Sequence, residues 1–330
     1  MFRRCRPMLK RRGIVLSPYD LHDKWVEWLA EAELNVLGLH AGVSDLIEFA
    51  RSSDGCSFIA KLDDLGIQIE YEAHAMSWLL PRSEFDAHPE WFRMDSDASR
   101  TPDWNLCPSN EEALKVACRN ALSLAGILSY SSGRFHLWPD DGKPWCSCTS
   151  CRALSASDQN LLVANSIASS LRTRYPRALL GCLSYLNTLD APAKIWPARG
   201  VFLEFAPIRR TYERPLGDPS VPENSFHVQK LDSLLARFAS KNAEALEYWL
   251  DASRFSKWRK PAQKLQFNRK VLQQDVAFYA SRGFGSITSF GVYLDAEYLG
   301  NYGPPPISEY GAVLRNGRTR QPRENGQRSI

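Results

Sequence analysis

The chain has 330 residues, 44% of them hydrophobic and 24% charged, with a net charge of +4, the balance of a globular protein long enough for one large domain. Its basic surplus sits in "MFRRCRPMLKRR" at the start and "RNGRTRQPRENGQR" at the end, which argues against a nucleic-acid partner, because such a binder carries its basic residues on a folded face. No segment approaches the ~18 consecutive apolar residues of a membrane span, and "GIVL" is too short for the apolar core of a signal peptide, so no membrane partner and a cytoplasmic location are expected, or export if the chain is trimmed from a longer protein.

Strand-like and helical segments alternate along the chain. "GIVLSP" (13–18) precedes "LHDKWVEWLAEAE", where Trp25, Trp28, Leu29 and Ala32 recur at helical spacing. "NVLGLHAG" (35–42) precedes "VSDLIEFARSS", with Ser44 as its N-cap. "IQIEYEAH" (67–74), "RFHLWPDD" (134–141), "ALLGCLSYLNT" (178–188) and "VFLEFAPI" (201–208) continue the series, and "ALEYWLDAS" (245–253) and "GSITSFGVYLD" (285–295) complete it. Such alternation predicts a parallel sheet covered by helices, and eight units over ~250 residues or more predict a (β/α)8 TIM barrel. A doubly wound sheet is the alternative, but no G-x-G-x-x-G follows the first strand. The barrel is expected as a single domain over 13–303, between a basic N-terminal tail (1–12) and a flexible basic C-terminal tail (304–330).

Two loops are longer than a barrel requires: 74–110 after the third strand and 140–157 after the fourth. Loops that follow strands lie on the C-terminal face, where barrel enzymes build their sites. The strand ends there are acidic and aromatic: His74; Trp138, Asp140 and Asp141; Tyr185; Glu204, Arg210 and Tyr212; Glu247, Trp249 and Asp251; Tyr293 and Asp295. Any one of these could cap a helix or pair with an arginine. As a ring, carboxylates between aromatic faces suit a sugar, because acids bind hydroxyls and aromatic rings stack on the C–H side of a pyranose. An oligosaccharide or glycoside is therefore the expected partner. Glycoside hydrolysis needs two carboxyl groups, ~5–5.5 Å apart for retention and ~6.5–9.5 Å for inversion. Adjacent Asp140 and Asp141 can divide labour, one orienting and the other donating a proton, although Asp-Asp-Gly also reads as a plain turn.

Cys146, Cys148 and Cys151 follow as C-x-C-x-x-C, close enough for one tetrahedral zinc ion. Cys107, in "WNLCPSN" of the other long loop, is the expected fourth ligand, which would close the site as structural zinc. A disulfide or unlinked buried thiols are the alternatives. Cys5, Cys56, Cys118 and Cys182 read as ordinary thiols. No organic cofactor is expected.

The segments "HPEWF" (88–92), "WNLCPSNEEAL" (104–114), "HLWPDDGKPWCSCTSCRALSASDQNLL" (136–162), "FLEFAPIRRTYERPLGDP" (202–219), "EYWLDASRFSKW" (247–258) and "ITSFGVYLDAEYL" (287–299) resemble the domain of unknown function 4838 family, a bacterial family related to the glycoside hydrolase barrels. The resemblance implies a carbohydrate-active barrel. "FHLWPDD" is also distantly similar to the fourth-strand ending of the family-twenty hexosaminidases, which implies an orienting role for Asp140 and a general-acid role for Asp141. Those enzymes have Glu where Asp141 stands, one methylene longer. By the pattern of other glycosidase barrels, Glu247 or Asp251 after the seventh strand is the second carboxylate. Three readings compete: a glycoside hydrolase, a non-catalytic carbohydrate-binding barrel, and a metal-dependent enzyme using the cysteine cluster.

Overall fold

The computed structural model describes residues 9–128 and 130–316. Eight parallel strands close into one barrel in chain order: β1 (Arg11–Leu16), β2 (Val36–His40), β3 (Gln68–His74), β4 (Arg134–Trp138), β5 (Leu179–Ser184), β6 (Val201–Phe205), β7 (Glu244–Glu247) and β8 (Ser286–Ser289). β8 returns to β1, with Arg11 opposite Ser286 and Arg12 opposite Ile287. Outside lie α1 (Lys24–Glu31), α2 (Val43–Arg51), α3 (Ser53–Asp64), α4 (Met76–Leu79), α5 (Glu111–Ile127), α6 (Ala156–Arg174), α7 (Pro222–Leu235), α8 (Ala252–Phe255), α9 (Arg269–Ser281), α10 (Ala296–Tyr302) and α11 (Ile307–Asn316). The fold is the (β/α)8 barrel that the alternating segments predict. Among the described residues, no helix is long and apolar enough to cross a membrane.

Outward-facing strand residues such as Ile14, Leu16, Leu37, Leu39, Leu203 and Phe205 join the helices in the main core, as expected of strands covered on one side by helices and on the other by the barrel lumen. Polar caps fix where helices start: Asn110 accepts from Ala113 N at the head of α5, and Ser155 with Asp158 forms a capping box on α6. Ser44 is not a cap; α2 begins two residues earlier than that cap implies, at Val43, with Gly42 at the N-cap position.

The barrel lumen is charged. Glu70 pairs with Arg11, with Arg134 (3.7 Å) and with His136 (3.4 Å), and Glu244 pairs with Arg134 (3.0 Å) and accepts from Ser286 and Thr288. Glu204 accepts from His136 Nδ1 (2.9 Å) and Trp138 Nε1 (2.8 Å). Burial opposes the charge on His136, but the charge of Glu204, the bond to it and the nearby Glu70 push its pKa well above the ordinary value. Three carboxylates thus face three cations, and a fourth buried carboxyl, Glu72, has no hydrogen-bond partner among the described residues. Its pKa is raised well above the usual range by burial and, against the pull of His136, by Glu204, Glu244 and Glu70. Burial and the three neighbouring acids thus favour the neutral form of Glu72. Glycine makes room for these acids: a Cβ at Gly38 would collide with Glu72 and one at Gly181 with Glu204.

Both expected tail boundaries need correction. Leu9 is buried and β1 starts at Arg11, because Arg11 bonds Gln68 and Glu70 and Arg12 bonds the Leu9 and Glu33 carbonyls. At the other end, residues 307–316 form α11, which buries Ile307, Tyr310, Val313 and Leu314 and donates from the Tyr310 hydroxyl to Gly13 O (2.7 Å). Residues 1–8, with Cys5, and 317–330 lie outside the described residues.

Candidate active site

The C-terminal ends of the strands surround a pocket of about 230 Å³. Its floor comes from residues on the inward face of three strands: Trp138 of β4, Leu183 of β5 and Leu246 of β7. His40 and His74 close β2 and β3, and Tyr248 and Phe290 follow β7 and β8. Two carboxylates line the pocket, Asp141 and Asp251. Asp141 is exposed on the turn after β4, whereas Asp251 is buried at the start of α8, held by Ser253 N (3.0 Å) and Ser253 Oγ (2.5 Å). Burial pushes the Asp251 pKa above the usual carboxylate range, against the opposing pull of these donors and Arg254. Burial, and then the charge of Asp141, push the Tyr185 phenol upward.

The aromatic wall combines tilted, edge-to-face and stacked contacts. The His40 ring lies 5.2 Å from Trp138 and 5.4 Å from Phe290, and Tyr248 stacks on Phe290 at 5.2 Å. His40 Nδ1 donates to Glu72 O (3.0 Å) and His74 Nδ1 to Pro139 O (2.6 Å). Burial, then the neighbouring His74, push the His40 pKa down to about 4, so its ring is neutral near pH 7.

Of the residues singled out in the sequence, Asp141, Asp251, His74, Trp138 and Tyr185 converge on this pocket; the others stand elsewhere. Glu247 is corrected from second carboxylate to core anchor. It faces outward, fully buried, and accepts from Arg210 Nε (3.2 Å), Tyr212 (2.7 Å) and Tyr279 (2.5 Å). Arg210 also pairs with Asp275 (2.5 Å), which accepts from Trp249 Nε1 (3.0 Å). Arg210, Tyr212 and Trp249 are thus committed to the barrel–helix interface. Asp140 accepts from Arg82 (2.9 Å) and Asn105 N (2.5 Å), so it braces the long loop after β3. Glu204 lies beneath the pocket floor, holding Trp138 from below. Tyr293 donates its backbone N–H to Asp20, and Asp295 caps α10 and pairs with Lys260.

Sequence reading missed His40, Tyr248, Trp258 and Phe290. Period-two alternation along β7 was the available signal for one of them: Glu244, Leu246 and Tyr248 share the inward face, and Ala245, Glu247 and Trp249 the outward one. Trp258 had no such signal. It lies at the pocket rim, 65% exposed, with its backbone in the left-handed region.

Beside the pocket, the two long loops meet at four buried thiols. Cys107 Sγ lies 3.5, 3.8 and 3.9 Å from the sulfurs of Cys146, Cys148 and Cys151, and no disulfide links them. A larger groove, about 670 Å³, lies outside the barrel between α3, α5 and the outward side of β3. It lacks a pair of carboxylates, and Asp63 is its sole acid among the described residues.

The eight-stranded barrel is the fold of several solved glycoside hydrolases. The model of the family described as Domain of unknown function (DUF4838) matches residues 57–294, more than half of the chain, and the protein belongs to that family. Solved structures agree on the fold. A beta-N-acetylhexosaminidase from Bacteroides fragilis superposes with a TM-score of 0.54 at 11% identity, covering 93% of this chain and 65% of its own. A beta-galactosidase from Rahnella sp. gives 0.55 at 14% identity, covering 93% and 57%. A family 5 glycoside hydrolase from Prevotella bryantii, solved with a xyloglucan tetradecasaccharide, gives 0.53 at 8% identity, covering 94% and 96%. The chain thus spans less than two thirds of the first two. No curated protein sequence matches it.

Proposed function

We propose that this protein is a glycoside hydrolase that cleaves a glycosidic bond over the strand C-termini, with Asp141 as general acid and Asp251 as the second carboxylate. One observation carries the reading: Asp141 and Asp251 are the two carboxylates of a single aromatic-walled pocket at the end where barrel enzymes work. The carbohydrate-active neighbours of the same fold support a sugar as the ligand class.

Asp141 is exposed on its turn and can meet a leaving group that enters from solvent. As the C–O bond breaks, Asp141 gives its proton to the departing oxygen. Asp251, oriented by both Ser253 donors, faces the positive charge developing at the anomeric carbon. A solvent water completes the hydrolysis by bonding its oxygen to that carbon while its proton passes to a carboxylate of the pair. Trp258 and Trp138 offer apolar faces for the ring. The upward shift at Asp251 favours a second reading, in which Asp251 is the acid and Asp141 its partner.

Turnover on a panel of nitrophenyl glycosides tests the activity. The proposal expects release of nitrophenol from at least one of them, lost in the Asp141→Asn, Asp251→Asn double variant. Sugar binding without turnover across a broad panel would instead indicate a non-catalytic carbohydrate-binding barrel.

A further inference from the structure

We propose that Cys107, Cys146, Cys148 and Cys151 bind one zinc ion in a closed four-thiolate site that staples the two long loops of the catalytic face. This stands apart from the glycosidase reading, since it rests on the thiols alone. A zinc–thiolate bond is about 2.3 Å, so the edge of a ZnS4 tetrahedron is about 3.8 Å by simple geometry. The three separations from Cys107, 3.5 to 3.9 Å, fall on that edge, and one ligand atom from each of the four residues lies within 4.8 Å of the others. Such spacing is far too long for sulfur–sulfur bonds of about 2.05 Å and too tight to enclose an iron–sulfur cluster.

The surroundings are built for thiolates. Met94 N donates to Cys146 Sγ (3.3 Å), and Ser109 Oγ lies 3.2 Å from both the Cys107 and Cys151 sulfurs. Four thiolates around a divalent ion leave a net charge of −2, and Arg100 stands 3.7 Å from Cys146 Sγ, held there by its bond to Phe92 O. Gln159 of α6 fixes the loop by bonding Cys146 N and O. Sulfur ligands of this number and arrangement select zinc over harder divalent ions.

Thiolates fill all four positions, so the ion has no vertex for substrate or water. That counts against a catalytic metal at this cluster and leaves a positioning role. Cys107 lies two residues after Asn105, which bonds Asp140 through its backbone N–H and its side chain, and Cys146 lies five residues after Asp141. The ion would hold both chain segments that set the turn carrying Asp141.

Elemental analysis of protein purified without added metal should find about one zinc and negligible iron per chain. X-ray absorption at the zinc edge should show four sulfur neighbours and no nitrogen or oxygen. Chelation should open four thiols to a thiol reagent and lower the melting temperature, with zinc restoring both. Cys148→Ser should lose the ion and Cys118→Ser should keep it; should Cys148→Ser fail to fold, the absorption spectrum of the wild type decides. Native protein free of metal, iron in place of zinc, or a coordination shell with a light-atom ligand would each overturn the assignment.

Discussion

Asp141→Asn is expected to slow hydrolysis of glycosides with poor leaving groups by ~10²–10⁴-fold, the usual loss on removing a general acid, while activated aryl glycosides lose far less. The asymmetry follows from the chemistry. An alkoxide or sugar oxygen cannot depart without a proton, whereas a nitrophenolate can. The amide keeps the shape of the side chain, and Asp141 is exposed and braces nothing, unlike Asp140 with its bonds to Arg82 and Asn105. Folding should therefore be intact, which thermal melts check. Equal loss on both substrate types would sink the assignment, and leaving-group-dependent loss in Asp251→Asn alone would exchange the two roles.

Arg210→Met should destabilise the fold by about 3–5 kcal/mol, the cost of breaking a buried ion pair by removing one partner. Arg210 is the cation between two fully buried acids, Glu247 and Asp275. Burial alone would suppress its charge, but Glu247 and then Asp275 raise its pKa well above the ordinary value. With Met there, both acids lie in the core without a counterion, and Tyr212, Tyr279 and Trp249 lose the network they donate to. Urea melts should show a lower midpoint, while KM measured well below the transition stays unchanged. An unchanged midpoint with a raised KM would return Arg210 to the substrate.

The barrel was legible because its signal is repeated: eight apolar runs, each bounded by turn residues, leave few alternatives. The fourth-strand ending and the cysteine spacing were legible for the same local reason, since Asp141 and the C-x-C-x-x-C run lie within one short stretch. The partners across the barrel were harder to read. Glu247 ends the seventh strand and Asp251 lies four residues on, and only side-chain parity and the start of α8 separate a buried anchor from a pocket acid. Arg210 next to Arg209 gave no sign of which would turn inward. The lumen acids Glu70, Glu204 and Glu244 are satisfied by groups distant in sequence, so their pairing could not be inferred locally. At the C-terminus, Ile307, Tyr310, Val313 and Leu314 do recur at helical spacing, but prolines 304–306 and the basic residues beyond masked the helix.

The central claim is that a sugar is cleaved between Asp141 and Asp251, and the crystal structure of Asp141→Asn soaked with a glycoside that the wild type turns over tests it most directly. The predicted result is a sugar ring in the pocket against Trp138 and Trp258, with residue 141 within ~2.6–3.2 Å of the glycosidic oxygen and Asp251 facing the anomeric carbon. A sugar seated in the groove between α3 and α5, or in the pocket with its glycosidic oxygen turned away from both positions, would contradict it.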